Sequence, residues 1–438
     1  MPPSLALGLI AACSLGVDAT GSLDHRISPG RITRLTIPDP APLTTPPPPC
    51  HRITRQPRNL PVPPADAQAF LLAIDRGTAW LLANQDPGGG WGAESSATPT
   101  DDPTAPPSPT AAAITGLGIR AIAQSGLPPE TLKPALRRLE NITSEELGYR
   151  DGPLFTYVAA ALTSGLASLD DPAYASLVQE GVALLRTCQW DVGEGLSVDQ
   201  DWYGGAGYGK RGRPDLSNTQ IMLDALYDAG IPADDPAFQR AVVFLSRCQN
   251  RPATNSASWV GNDGGFVYTA ANGGESLASE VAGYGRRGDE NLDGRARSLR
   301  SYGSMTYAGF KSMLYAGLRA DDPRVRAALS WIMQNWTFDE NPGLGQQGFY
   351  YYLTTLARAL RAADLEEIRT PDGVLHNWRV ELGRALVTRQ STDGSWINPT
   401  DRWLEGRRDL ATIYAVTALE EIMKPITTAV PNTPSEGG

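Results

Sequence analysis

The chain has 438 residues, 41% of them hydrophobic, and a formal net charge of −10. That balance belongs to a globular chain, and the acidic excess disfavours nucleic acid or an anionic surface as partner. No apolar run reaches the roughly 20 residues a transmembrane helix needs.

Residues 1–65 differ in kind from the rest of the chain. A short apolar segment spans residues 4–17, and Ile10-Ala11-Ala12-Cys13 resembles a bacterial lipoprotein cleavage box. It predicts an exported protein, periplasmic or lipid-anchored, with peripheral membrane association. Met1-Pro2-Pro3 supplies no Lys or Arg ahead of the apolar core, so a cytoplasmic location stays the alternative. The Pro-rich stretch after it, with Pro46 to Pro49 consecutive, cannot bury enough apolar area to fold and reads as an extended tether. Cys13 and Cys50 fall in this region, whereas Cys188 and Cys248 occupy equivalent repeat positions and are expected to pack as small apolar groups rather than pair.

From residue 66 to 428 the chain repeats itself. Gln85-Asp-Pro-Gly-Gly89-Gly-Trp91 returns as Gln390-Ser-Thr-Asp-Gly394-Ser-Trp396, and between them helical stretches end in Cys188-Gln189 and Cys248-Gln249 before Gly-rich loops. Ala229-Gly230-Ile-Pro-Ala233-Asp234-Asp235-Pro236 matches Ala316-Gly317-Leu-Arg-Ala320-Asp321-Asp322-Pro323, with Asp170-Asp171-Pro172 as a shorter echo. Glycine there reads as a helix C-cap and Asp-Pro as an N-cap with proline at the first helical position, so each copy is helix, turn, helix. First helices are expected to begin near Thr110, Thr156, Thr219, Thr306, Leu353 and Thr412, and second helices to end near Gln85, Asn141, Gln189, Gln249, Trp336 and Gln390. Uneven spacing, long Gly-rich loops and the same signature at both ends favour a closed ring over an open solenoid. Residues 268–300 form a charged loop insertion, and residues 429–438 read as a disordered tail.

The Gln and Trp repeats, the Cys-Gln helix ends, the Gly-Gly loops and Pro214-Asp215-Leu-Ser217-Asn218-Thr219-Gln220 together resemble the prenyltransferase/squalene oxidase repeat family, squalene-cyclase-like members of the terpenoid cyclase and protein prenyltransferase superfamily. The resemblance implies an all-α fold, an (α/α)6 toroid of six helix-pair repeats, in which Gln and Trp tie the outer helices together.

The chemistry of either named branch is incomplete. Aligning Thr219 with the threonine of the cyclases' Asp-x-Asp-Asp-Thr-Ala motif places Ser217 and Asn218 where the acids stand, leaving Asp215 as the titratable group, either helix cap or catalytic acid. The zinc site implied by the other branch needs Asp-x-Cys and a distant His; no Asp-x-Cys occurs, and His376 alone falls in the ring. No metal and no cofactor is expected.

Asp339 and Glu340, adjacent carboxylates beside aromatics, form a further pair of candidate acids, with a solvated helix-end loop as the competing reading. Tyr302, Tyr307, Tyr350, Tyr351 and Trp202 are the candidate ligand-binding aromatics, and Asp339, Glu340, Tyr302 and Tyr307 are expected to face one cavity. Asp289-Glu-Asn291-Leu-Asp293-Gly294 matches half a calcium loop but has Arg300 where a bidentate acid should close it. The functional expectation is a protein that binds or isomerises an isoprenoid-like hydrophobic small molecule in an apolar, aromatic-lined central cavity. A polysaccharide-active or glycan-binding (α/α)6 protein and a non-catalytic interaction scaffold are the alternatives.

Overall fold

A computed structural model describes residues 62–93, 108–142, 152, 154–209, 211–283 and 298–425. The leader and most of the tether, the half calcium loop and the C-terminal tail lie outside the described residues. Thirteen helices are present among those described: α1 (Pro64–Ala83), α2 (Pro109–Gln124), α3 (Lys133–Ile142), α4 (Phe155–Ala167), α5 (Ala175–Arg186), α6 (Leu216–Asp228), α7 (Pro236–Cys248), α8 (Leu277–Val281), α9 (Gly303–Tyr315), α10 (Pro323–Gln334), α11 (Phe349–Ala362), α12 (Trp378–Arg389) and α13 (Arg408–Met423). A hairpin of β1 (Glu367–Arg369) and β2 (Leu375–Asn377) precedes α12.

The caps explain the pairing. Asp171, Asp235 and Asp322 accept from the backbone N–H two residues on, with proline at the first helical position. Gly230 and Gly317 end α6 and α9 with positive φ, where the chain reverses into the next helix.

Six helices, α2, α4, α6, α9, α11 and α13, contact one another in that order, and α13 returns to α2. This is a closed inner ring. The other long helices, α1, α3, α5, α7, α10 and α12, pack outside it, and the short α8 belongs to a loop. The architecture is an (α/α)6 toroid.

The outer layer is tied helix to helix by the glutamines. Gln189 Nε2 donates to Gly204 O (2.9 Å) in its own loop and to Ala237 O (2.8 Å) on the next outer helix, and Gln249 does the same to Gly264 O (2.9 Å) and Arg324 O (2.8 Å). Gln390 donates to Gly394 O (2.9 Å) and, across the closure, to Ala73 O (2.9 Å) on α1. Only glycine can follow this path: Gly264 has φ +82° and a Cβ there would lie 2.4 Å from Ala327 O on α10.

The inner layer is tied by threonines. Two residues past each loop glycine, the N–H of Trp91, Ala206, Phe266 and Trp396 donates to Thr115, Thr219, Thr306 and Thr412 Oγ1, at 3.0, 2.9, 3.1 and 3.0 Å. The indoles of Trp91 and Trp396 donate to Leu81 O and Leu386 O, both 2.9 Å, near the ends of α1 and α12. Further bonds complete the closure: Arg76 to Ser391 O (3.0 Å) and Thr392 O (2.9 Å), Gly92 N to Asp409 Oδ2 (3.0 Å), and Arg407 to Ala93 O (3.0 Å).

Trp396 is fully buried. Trp396→Ala removes its packing, its indole bond and part of the seam, so it should destabilise the protein by about 3–5 kcal/mol in chemical denaturation. An unchanged midpoint would show that the closing repeat does not depend on it.

Candidate functional site

The inner helices run parallel. Residues early in their helices meet one another (Tyr157 of α4, Ser217 of α6, Tyr351 of α11), and residues late in theirs do the same (Arg120 of α2, Asp228 of α6, Arg358 of α11, Glu421 of α13). Because α6 and α11 are not neighbours in the ring, such contacts cross the axis. All six inner N-termini therefore open on one face, which the long loops cover.

The far half of the axis is closed by charge. Lys311 Nζ lies 2.6 Å from Asp224, Arg358 bridges Asp224 (3.3 Å) and Asp228 (2.8 Å), and Arg120 bridges Asp228 (3.3 Å) and Glu421 (3.1 Å). Arg361 and Lys424 also pair with Glu421. Burial alone would raise the Glu421 carboxyl, but Lys424, Arg361, Arg120 and Arg358 together hold it well below the ordinary carboxylate range. Burial pushes the Lys311 ammonium down to about 8 despite Asp224, with Arg358 pushing the same way. The expected apolar cavity through the ring is thus blocked by a polar floor.

The near half is a mouth of phenols. Tyr157, Tyr208, Tyr351 and Tyr414 are half-buried, Tyr157 stacks on Tyr208 (5.8 Å between centroids), and Tyr351 meets Tyr414 edge-on (6.1 Å). Leu117, one turn before Arg120, and Ile221, one turn after Ser217, share their axis-facing sides and are also half-buried. Burial raises the phenols of Tyr157, Tyr268, Tyr302 and Tyr351, so each keeps its proton at neutral pH. Arg213 with Glu275 (2.7 Å) and Arg402 with Glu280 (3.7 Å) fasten the rim loops.

Asp215 sits at this mouth, 1% exposed, as the N-cap of α6. It accepts from Asn218 N (2.8 Å) and Asn218 Nδ2 (2.9 Å), and the nearby Tyr268 hydroxyl also favours its ionised form. Burial raises its carboxyl to about 6, against the pull of those donors. Both oxygens are engaged, so capping accounts for its placement. Glu405, equally buried, plays the matching part for α11: it accepts from Tyr350 N (3.1 Å) and Tyr351 N (2.8 Å), where the helix has no cap of its own. Nothing in the sequence marked Glu405, since Tyr351 lies 54 residues away from it in the chain.

The expected grouping of Asp339, Glu340, Tyr302 and Tyr307 is not formed. The Asp339 carboxylate is 92% exposed and pairs with Arg389 of α12 (3.1 Å), and Glu340 is exposed beside it. Both stand on the outer layer, because they belong to the turn leaving α10. Tyr307 is packed edge-on against Tyr352 (5.6 Å), whose hydroxyl donates to Thr337 O (2.8 Å) under the same turn. Tyr302 is buried near Tyr351 and Asp215 instead.

Tyr350 is buried against Phe349 (5.4 Å), pointing away from the axis, as consecutive helical residues must diverge. Trp202 meets Trp190 (4.9 Å) and donates to Asn272 Oδ1 (3.1 Å), bracing two rim loops. His376 pairs with Glu381 (3.0 Å) on the hairpin side. Cys188 and Cys248 are buried thiols, and Cys188 Sγ donates to Leu184 O (3.6 Å). No cluster of metal-ligating side chains and no helix long and apolar enough to cross a membrane occurs among the described residues.

No family model and no curated protein matches the chain. Similar solved structures include an α-1,6-mannanase, GH76A of Salegentibacter sp. HEL1_6, in complex with α-1,6-mannotriose (TM-score 0.50, 11% identity, 81% of this chain and 98% of that one). D-mannose isomerase (0.49, 14%, 82% and 99%) and the type II terpene cyclase MstE from Scytonema with geranylgeranyl dihydroxybenzoate (0.46, 11%, 82% and 98%) are also similar. At 11% identity and a TM-score of 0.50, the likeness to the mannanase shows the fold, the (α/α)6 toroid, and nothing finer.

Two consequences of the charges are measurable. Glu421→Gln leaves Arg120, Arg361 and Lys424 without their shared counter-charge and should cost about 3–5 kcal/mol at neutral pH. Because the folded-state value lies below the ordinary 4.5, this contribution is present above 4.5 and is lost as pH falls through the folded value, so the deficit should shrink in acid. Asp215 has the opposite sign. Its value rises from 3.8 to about 6 on folding, so its contribution is full below 3.8 and is lost as pH rises through about 6, a change of about 3 kcal/mol. Asp215→Asn keeps a cap acceptor and should remove that slope; a stability profile parallel to wild type would contradict the buried, titrating carboxyl.

Proposed function

We propose that the protein holds an isoprenoid-type lipid in the mouth of the ring, as a binding or isomerising protein rather than a cyclase. The observation that carries this reading is the set of half-buried phenols above the charged floor: Tyr157, Tyr351 and Tyr414, with the half-buried Leu117 and Ile221, offer aromatic and apolar surface, and the ion pairs below them close the axis on the far side. Against cyclisation stands Ser217, at the position where the resemblance to squalene-type cyclases would put the acid. Its hydroxyl is bonded between Tyr157 and Tyr351 and is far too weak an acid to protonate an alkene.

Glycan binding is the second reading, favoured by the hydroxyls of Tyr157, Ser217 and Tyr351, which meet one another at the mouth. Glycoside hydrolysis is disfavoured, since it requires a pair of available carboxyl groups and Asp215 and Glu405 are both occupied as caps.

Calorimetric titration with farnesol and with mannotriose separates the two. Farnesol should bind, mannotriose should not, and Tyr351→Ala should weaken farnesol about tenfold or more. Binding of the sugar alone would establish the second reading, and binding of neither would overturn both. Incubated with squalene, the protein should give no cyclised product, and a cyclised triterpene seen by mass spectrometry would overturn the non-cyclising assignment.

A further inference from the structure

Between floor and mouth runs an unbroken line of hydrogen-bonded side chains. Lys311 Nζ donates to Gln220 Oε1 (2.7 Å), Gln220 Nε2 donates to the Tyr351 hydroxyl (2.9 Å), Tyr351 meets Ser217 Oγ (3.3 Å), and Ser217 meets the Tyr157 hydroxyl (2.5 Å). Each hydroxyl in such a line can point its proton either way, but its two ends are not equivalent.

An ammonium has three donors and no acceptor, so Lys311 obliges the Gln220 amide to turn its oxygen inward and its NH2 toward Tyr351. Asp224, at 2.6 Å, keeps the ammonium in place. Receiving that N–H, the Tyr351 oxygen directs its own proton to Ser217, and Ser217 directs its proton to Tyr157. The Tyr157 O–H is then the proton left over, on a half-buried side chain at the mouth. A second donor stands close by. The Tyr302 hydroxyl, on a side chain 1% exposed, has no hydrogen-bond partner among the described residues and lies near Tyr351. An orphaned buried hydroxyl carries a desolvation cost that a ligand oxygen would relieve.

We propose that Lys311 and Gln220 are positioning residues that set the polarity of this array, so that the mouth presents hydrogen-bond donors and selects a ligand whose polar end is an acceptor oxygen. This rests on the reading of the mouth as the ligand site and adds to it the chemistry of the head group. The parallel inner helices reinforce it, since the positive ends of six helix dipoles face the same space. Lys311 acts only through Gln220, Tyr351 and Ser217, and touches no ligand.

Gln220→Glu reverses the device while conserving shape. A carboxylate accepts from both Lys311 and Tyr351, so the Tyr351 proton turns inward, the Ser217 proton follows it, and Tyr157 donates to Ser217. The mouth then presents the Tyr157 oxygen as an acceptor. Binding is read with farnesyl methyl ether, whose head only accepts, and farnesylamine, whose protonated head only donates. Wild type should prefer the ether by about tenfold or more, and Gln220→Glu should invert the preference. Polarity is read without any ligand from the tyrosine Fermi doublet in ultraviolet resonance Raman spectra, taken as the difference between each protein and its Tyr157→Phe counterpart. The doublet should report an acceptor phenol in wild type and a donor phenol in Gln220→Glu.

An unchanged doublet overturns the polarity proposal. An inverted doublet with neither probe bound upholds the array and instead overturns the mouth as a lipid site. Inverted selectivity is the supporting result, and bound probes with the same preference in both proteins refute the head-group claim. If Gln220→Glu does not fold, Ser217→Ala serves: it cuts the line, and Tyr157 should lose its acceptor signature and the preference should collapse without inverting. An unaltered signature and preference in that variant refutes the proposal.

Discussion

Everything in this ring depends on how six parallel helices fill the axis they share. Parallel inner helices enclose a common axis, and here its far half is closed by long charged side chains that reach across it. Lys311, Arg358 and Arg120 each meet an acid of another inner helix, and Glu421 gathers three cations. A buried charge tolerates only a complete set of partners, because each one left unpaired costs several kcal/mol. The network therefore specifies one angular arrangement of the inner helices. It also turns what would be a channel into a cup.

Scaffold and site divide the labour between them. The Gln, Gly and Thr contacts recur from repeat to repeat and use backbone acceptors and donors, so they fasten helix to helix whatever the local sequence. The axis does not repeat in this way: α6 lends it Ser217, Gln220 and Asp224, α9 lends Lys311, and α4 and α11 lend the phenols of Tyr157 and Tyr351. Repetition builds the scaffold, and departures from it build the site. Ser217 shows the two at one place, for Thr219 two residues later belongs to the repeat and holds a loop N–H at 2.9 Å while Ser217 joins two phenols.

The mouth carries helix ends as well as phenols, and its carboxylates are spent on them. Asp215 caps its own helix, while Glu405 reaches α11 from the loop before α13. Ionised groups so engaged stiffen the rim and are withheld from acid–base work. What the space offers a ligand is then aromatic surface and hydroxyl groups. Recognition there depends on which way those hydroxyls point, which is decided one layer deeper by a lysine.

The sequence by itself determined the helix pairs, their caps and the closed count of six, because those signals are local: Asp-Pro after a glycine, Gln at a helix end, a glycine where the backbone needs positive φ. Predicted starts near Thr156, Thr219 and Thr306 meet helices that begin at Phe155, Leu216 and Gly303. The packing of Cys188 and Cys248 was legible for the same reason. The site was legible only in fragments. Tyr351 and Tyr302 do lie at or beside the mouth, but Asp339 and Glu340, chosen as neighbours of aromatics along the chain, turn outward at the end of α10. Only the tertiary structure decided which of Tyr350, Tyr351 and Tyr352 faces the axis, and that Gln220, Lys311, Asp224 and Arg358 meet there. The physical reason is that axial contacts join residues far apart in the chain, Gln220 and Tyr351 by 131 positions and Arg120 and Glu421 by 301. A helical residue's facing depends on a rotation that only the packed ring sets.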